Sequence, residues 1–176
     1  MTNQVKISYI VIFLLIVTAI GYGGYYLGIN RAPTPQETID DFAENEMTIK
    51  LYYYNPSRDL GPGGVQCTKN GLVAVERVIP KTMTPLTEAI RLLLRGEISP
   101  AERAQGIESE FPLTGVTLIS AIIQNEVATL TFSDPQNKTS GGSCRIAILW
   151  AQIEATAQQF PTVKEVRFLP EELFQP

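Results

Sequence analysis

The first pattern along the chain is not periodic: Ile7 to Ile29 is a run of 23 residues that are apolar or uncharged. At about 1.5 Å per residue a helix of this length crosses a hydrocarbon layer of roughly 30 Å with some tilt. Tyr22, Tyr25 and Tyr26 crowd its far end, as an interfacial belt does. Gly21, Gly24 and Gly28 share one face, a spacing that admits a second helix, although glycine is common in membrane helices generally. Pro33 ends the run, and Thr34-Pro35-Gln36-Glu37 reads as a capping box. The acidic stretch that follows, to Asn45, is either a short helix with Ile39, Phe42 and Ala43 as its contacts or a charge-extended tether.

From Met47 the period changes to two, with Ile49, Leu51 and Tyr53 on one face and Thr48, Lys50, Tyr52 and Tyr54 on the other, which is a strand. Asn55 to Gly71 is rich in Gly and Pro and reads as an exposed loop carrying Gly63, Gly64 and Cys67. Leu72 to Ile79 is a second strand. Thr84 caps a helix with Pro85 in its first turn, an apolar stripe of Leu86, Ala89, Ile90, Leu93 and Leu94, and a stop at Gly96. Ser99-Pro100-Ala101-Glu102 opens one or two further helical turns. Thr117 to Ile123 and Val127 to Phe132 form a hairpin around Gln124-Asn125-Glu126. Ser140-Gly141-Gly142-Ser143 introduces a helix with Ile146, Leu149, Trp150, Ile153 and Ala157 at helical spacing, and Val163 to Leu169 is a last strand. The order ββαββαβ predicts one small α+β domain with a mixed sheet and helices on one face, behind a single N-terminal transmembrane helix.

Charge narrows the function. Fourteen Lys and Arg against eighteen Asp and Glu give a net charge of −4, and every acidic residue follows position 36. A nucleic-acid binder would be basic, with aromatic residues interleaved among its cations, so nucleic acid is excluded as a partner. The sequence has no histidine, which removes His-based triads and His-liganded zinc. Lys6 lies before the apolar run and Arg31 after it; with so short an N-terminus this favours residues 1–6 as a cytoplasmic tail, 7–29 as the anchor and 30–46 as an acidic tether. Residues 47–176 then form an extracytoplasmic domain of a single-pass cell-membrane protein. A cleaved signal ending near Ala19-Ile20-Gly21 is the competing reading.

Five strings of residues now carry a resemblance: Ile49-Lys50-Leu51-Tyr52-Tyr53, the run Leu72 to Ile79 containing Val75-Glu76-Arg77, the helix Leu92-Leu93-Leu94-Arg95-Gly96, Phe111-Pro112-Leu113 followed by the hairpin, and Val163-Lys164-Glu165-Val166-Arg167-Phe168. Together they resemble a GerMN domain, the spore germination and sporulation protein M type, over about Met47 to Leu169. The resemblance implies a non-enzymatic module of the bacterial cell envelope, held outside the membrane and similar to small α+β domains that build rings in secretion and sporulation complexes.

Candidate chemistry is sparse. Cys67 and Cys144 are the only cysteines, and in an oxidising compartment they pair, tying the Gly-rich loop to the start of the last helix; two separate buried thiols are the alternative. Ser140, Gly141, Gly142 and Ser143 form a turn at a helix start, where Ser140 or Ser143 caps the free N–H groups. With Gly63 and Gly64 these residues make the candidate loop for a ligand or partner. Glu108 and Glu110 share one side of an extended segment and read as solvated surface. No base and nucleophile pair, metal-ligand spacing or cofactor motif is present, so no cofactor is expected. The reading is a non-catalytic, membrane-tethered scaffold or assembly module that contacts an envelope protein or itself. The alternative is a binding module for an envelope ligand such as a peptidoglycan fragment.

Overall fold

The computed structural model of the chain describes Thr18, Tyr22, Tyr25, residues 45–61, Gly64 and residues 66–175. The chain divides into two units, residues 1–44 and 45–176, and the architecture below is that of the second. Apart from the three residues just named, the expected anchor and the tether to residue 44 lie outside the described residues. Among the described residues no helix is long and apolar enough to cross a membrane.

Strands β1 (Glu46–Tyr54) and β2 (Leu72–Pro80) pair antiparallel from Glu46 opposite Pro80 to Tyr54 opposite Leu72. Helix α1 (Pro85–Arg95) and the short α2 (Pro100–Ala104) follow. Strands β3 (Thr117–Gln124) and β4 (Val127–Ser133) form the hairpin, helix α3 runs Ser143–Gln158, and β5 (Glu165–Leu169) returns parallel to β4. The expected order of strands and long helices holds, and α2 is the short helix expected after Ser99. The strands fall into two sheets, β1-β2 and the mixed β3-β4-β5. Helices α1 and α3 pack on each other and both touch β1, while α1 also reaches β3 and α3 also reaches β5.

The division has a local cause. The edge of β1 that faces away from β2 is already occupied. Lys50 N–H donates to Gln159 Oε1 at 2.7 Å and Gln159 Nε2 donates back to the Lys50 carbonyl at 2.6 Å. Tyr52 N–H donates to Thr156 Oγ1 at 3.1 Å. Tyr54 exchanges backbone hydrogen bonds with Glu108, 3.3 Å from its N–H and 2.7 Å to its carbonyl. Side chains at the end of α3 and one extended residue therefore stand in for a neighbouring strand, and no strand of the second sheet can dock there.

Period two on β1 buries Ile49, Leu51 and Tyr53 as expected, against Ala89, Ile90 and Leu93 of α1 and Ile146, Leu149 and Ile153 of α3 in one core. Beyond β5 the chain folds back and buries Leu173 and Phe174, so that Phe132, Phe168 and Phe174 form an aromatic cluster with centroids 5.2–5.9 Å apart. Trp150, expected in the core, packs on Phe168 at 4.4 Å and is partly buried. Between β3 and β4 the turn residues are Asn125 and Glu126, both at positive φ (50° and 64°), as a two-residue hairpin whose twist matches its strands requires.

The Leu-Leu-x-Gly helix end has a physical explanation. Gly96 adopts φ +64°, and a Cβ there would run into the Phe111 carbonyl, so this one position both ends α1 and lets the Phe111-Pro112-Leu113 segment cross over it. Two capping expectations differ. Ser99 and Glu102 form the reciprocal capping box, but Thr84 makes no capping bond and its hydroxyl instead meets that of Thr82 at 3.3 Å.

Glu102 does more than cap. Arg77 of β2 donates from Nη1 to Oε1 at 2.7 Å and from Nη2 to Oε2 at 2.9 Å, while Ser99 N–H donates to Oε2 at 2.8 Å. Two further guanidinium hydrogen bonds, to the carbonyls of Glu76 in β2 and of Glu97 just beyond α1, hold Arg77 in place. The fork from Arg77 holds the Glu102 carboxyl down at about 2, against the cost of burial. Nearby, burial pushes the Tyr53 phenol up to about 12, and its hydroxyl has no hydrogen-bond partner. Because the folded value for Glu102 lies below the ordinary 4.5, its stabilisation is full above that pH and is lost as pH falls toward 2. Glu102→Gln keeps a capping side chain but removes the charge. It should cost about 1–3 kcal/mol in urea unfolding at pH 7 and flatten the fall of stability between about pH 4.5 and 2. An unchanged slope in that window would place the acid sensitivity elsewhere.

Candidate functional site

The loop between β1 and β2 was expected to be simply exposed, and the structure corrects this. It opens with a 3-10 turn at Pro56–Arg58 and closes with another at Lys69–Gly71. Asn55 is 2% exposed, accepts from Ser57 N–H at 3.0 Å and donates to the Gln105 carbonyl at 2.8 Å. Asp59 is fully buried. Its carboxylate accepts from Tyr54 OH at 2.6 Å, from Thr68 N–H at 2.7 Å and from the Thr68 hydroxyl. Burial raises the Asp59 carboxyl, but these hydrogen bonds from Thr68 and Tyr54 outweigh it and hold the group below its usual range. Tyr54 in turn accepts from Cys67 N–H at 3.2 Å, so a side chain on the face of β1 opposite Ile49, Leu51 and Tyr53 is buried as part of this knot.

Cys67 and Cys144 are joined in the structure, with Cα atoms 5.2 Å apart, and this bond carries the loop to the first turn of α3. Ser143 and Cys144 open α3, with Gly142 at the cap position. The expectation that Ser140 or Ser143 caps this helix is corrected: α3 has no side-chain cap, and Ser140 Oγ donates to the Asn137 carbonyl at 2.8 Å. The turn is held instead by Asp134 and Arg145. Asp134 accepts from the N–H groups of Lys138 (2.8 Å) and Thr139 (2.7 Å), and Arg145 Nη1 donates to the carbonyls of Ser140 (2.6 Å) and Lys138 (3.0 Å). Gly141 lies against the Arg145 side chain. Gly64 has φ +77° with its N–H donating to the Gly61 carbonyl at 3.0 Å, and Gly63 lies outside the described residues.

The structure also assembles a slot that period and motif do not reveal. Tyr54, Glu108, Ser109, Glu110, Ile148 and Gln152 line a cavity of about 160 Å³. Arg145, Ile148 and Gln152 lie on successive turns of α3, and Arg145 Nε pairs with Glu110. Glu108 and Glu110 are exposed, as expected, and also border this cavity. None of the six lining residues belongs to the 63–64 or 140–143 loops. Gln152 is fully buried, and neither its amide nitrogen nor its oxygen has a hydrogen-bond partner. No group of His, Cys, Asp and Glu among the described residues could hold a metal ion.

The unit at residues 45–176 is thus a small α+β domain of two sheets bridged by two helices, with a cross-linked loop at one helix start. The chain belongs to the sporulation and spore germination family, whose Germane family model matches residues 50–172. Among solved structures it is similar to the tandem GerMN domains of the sporulation protein GerM from Bacillus subtilis, at 20% identity and TM-score 0.52, over 73% of this chain and 41% of that one. The first GerMN domain of the same protein aligns at 19% identity and TM-score 0.48, over 69% of this chain and 80% of that one. No curated protein matches the sequence.

The bond between Cys67 and Cys144 closes a loop of 77 residues, a constraint worth about 4 kcal/mol in the chain-entropy description. Protein made in an oxidising compartment should show no alkylatable thiol after unfolding without reductant. Cys67→Ser together with Cys144→Ser should lower stability by roughly that amount in urea titration. Two free thiols, or an unchanged midpoint, would remove the staple from the account.

Proposed function

We propose that the chain is a non-catalytic, membrane-anchored module of the cell envelope that works through protein contacts, as a scaffold or assembly unit. The uncharged run Ile7 to Ile29 serves as the anchor, the N-terminus is cytoplasmic and the domain is extracytoplasmic. One observation carries the contact role. The face of the mixed sheet turned away from the core carries exposed apolar side chains among threonines. Ile119, the unpaired residue at the bulge in β3, is 62% exposed, Ile122 is 52% exposed and Leu169 of β5 is 38% exposed. In register, Thr129 of β4 lies between Ile122 and Arg167, and Thr131 lies between Ser120 and Leu169. A solvated antiparallel face ordinarily carries polar residues at such positions, and apolar ones suit a surface that is covered in use.

Light scattering on the detergent-solubilised full chain, combined with a pull-down from membranes, tests this reading. Oligomer or partner capture should be weakened by Ile119→Lys and Ile122→Lys without loss of folding. A strict monomer that captures no envelope protein would overturn it.

Topology is tested separately. Protease added to intact spheroplasts should remove the domain and leave a tag at the N-terminus protected. Protection of the domain would reverse the orientation, and a mature protein beginning near Tyr22 would make the run a cleaved signal.

A further inference from the structure

Gln152 is the side chain in this fold with the least local justification. It projects from a buried position of α3, between Ala151 and Ile153, and has two hydrogen-bonding atoms with nothing to bond. A carboxamide in an apolar interior without partners costs on the order of 1–3 kcal/mol, a cost that leucine of nearly the same volume would avoid. It also lines a place where a guest has room, the slot between α3 and the Glu108–Glu110 segment. The slot's 160 Å³ is comparable to a cavity that accepts a benzene-sized guest, which is enough for an acetamido group or a single peptide unit but too small for a sugar ring with its substituents.

The chemistry of the lining selects the guest. A carboxamide presents donors and an acceptor side by side, whichever way it is flipped, and its complement is another amide that can accept and donate at once. Tyr54 and Ile148 add apolar walls suited to a methyl or methylene next to that amide. Glu108 and Glu110 also border the slot, and although Glu110 is paired with Arg145, two carboxylates disfavour an anionic guest. Carboxylates and phosphates are thereby disfavoured, and a neutral amide is preferred.

We propose that the slot lined by Gln152, Tyr54, Ile148 and the Glu108–Glu110 segment is a binding site for a neutral amide group, either the acetamido group of an amino sugar or a peptide unit. The site is independent of the apolar sheet face that carries the scaffold reading, so either can fail alone. It also differs from the 63–64 and 140–143 loops at which the sequence placed a ligand.

The test uses the full chain in detergent and three probes: N-acetylglucosamine, N-acetyl-alanine N′-methylamide, and glucose as a neutral control without an amide. Saturation-transfer NMR on the probes is combined with titration of the Gln152 side-chain amide resonance, assigned in the unaltered chain by through-bond correlation to its own backbone. At least one amide probe should bind and shift that resonance, glucose should not, and Gln152→Leu should weaken binding at least tenfold. Response to the sugar alone assigns the site to amino sugars, and response to the blocked alanine alone assigns it to peptides. If Gln152→Leu does not fold, the shift of the Gln152 resonance in the unaltered chain decides. No binding of either probe, binding of glucose at equal strength, or undiminished binding by a folded Gln152→Leu would overturn the proposal and leave Gln152 to water alone.

Discussion

Everything in this domain depends on how the free edge of β1 is satisfied. A two-stranded sheet is marginal by itself, and β1-β2 is one, so the edge of β1 away from β2 needs other partners. Gln159 and Thr156 give that edge the hydrogen bonds of a strand while belonging to a helix, and Glu108 adds a single residue of true antiparallel pairing. The hairpin is thereby fastened to α3, α3 carries β5, and β5 pairs with β4, so two sheets that share no strand share one frame. The same pairing fixes where the Glu108–Glu110 segment runs and therefore where a cavity is left between it and α3.

A second set of fasteners acts at the opposite end of α3. The disulfide holds the β1-β2 loop to Cys144, while Arg145, the next residue, reaches Ser140, Lys138 and Glu110. The loop is not passive in this. Asp59 inside it collects Tyr54 and Thr68, which orders both ends of the loop around a buried charge, and Tyr54 meets the backbone of Cys67. A glycine-rich segment without that carboxylate would need the disulfide to hold it; here the hydrogen bonds position the cysteine from which the covalent bond starts.

What could be read from the sequence follows from which interactions are periodic. The strands, the hairpin, the Ser99 capping box and the αL stop at Gly96 all have local signatures, and the structure places each within a residue or two of where those signatures point. The split into two sheets had no such signature, because it turns on Gln159 and Thr156 reaching a strand more than a hundred positions earlier. Asp59, Gln152 and Tyr54 were hidden for a related reason: a polar side chain reads as surface until its partners, or their absence, are known. Helix α3 blurs its own pattern further, since Ile146, Leu149, Ala151, Gln152, Ile153, Thr156 and Ala157 are all buried, a wider band than one amphipathic stripe. The Phe174 closure was missed because its sequence, Glu171-Glu172-Leu173-Phe174, has too few apolar positions to show any period.

Among the described residues two buried side chains keep polar atoms without partners, Tyr53 and Gln152, and the contrast between them is informative. The Tyr53 hydroxyl sits close to the Arg77–Glu102 pair, whose charges act on it in opposite senses, and its ring contributes to the core; the unpaired oxygen accompanies an aromatic group that packing requires. Gln152 has no such excuse. Its stem could be supplied by leucine, and its head contributes no bond to the fold. Each unsatisfied polar group costs on the order of 1–3 kcal/mol against a total stability of about 5–15 kcal/mol, so such a residue is a substantial burden on a domain of this size. Tyr53 is accounted for by folding alone. Gln152 lines a cavity, and the physical role open to an unpartnered carboxamide there lies with what enters from outside the fold.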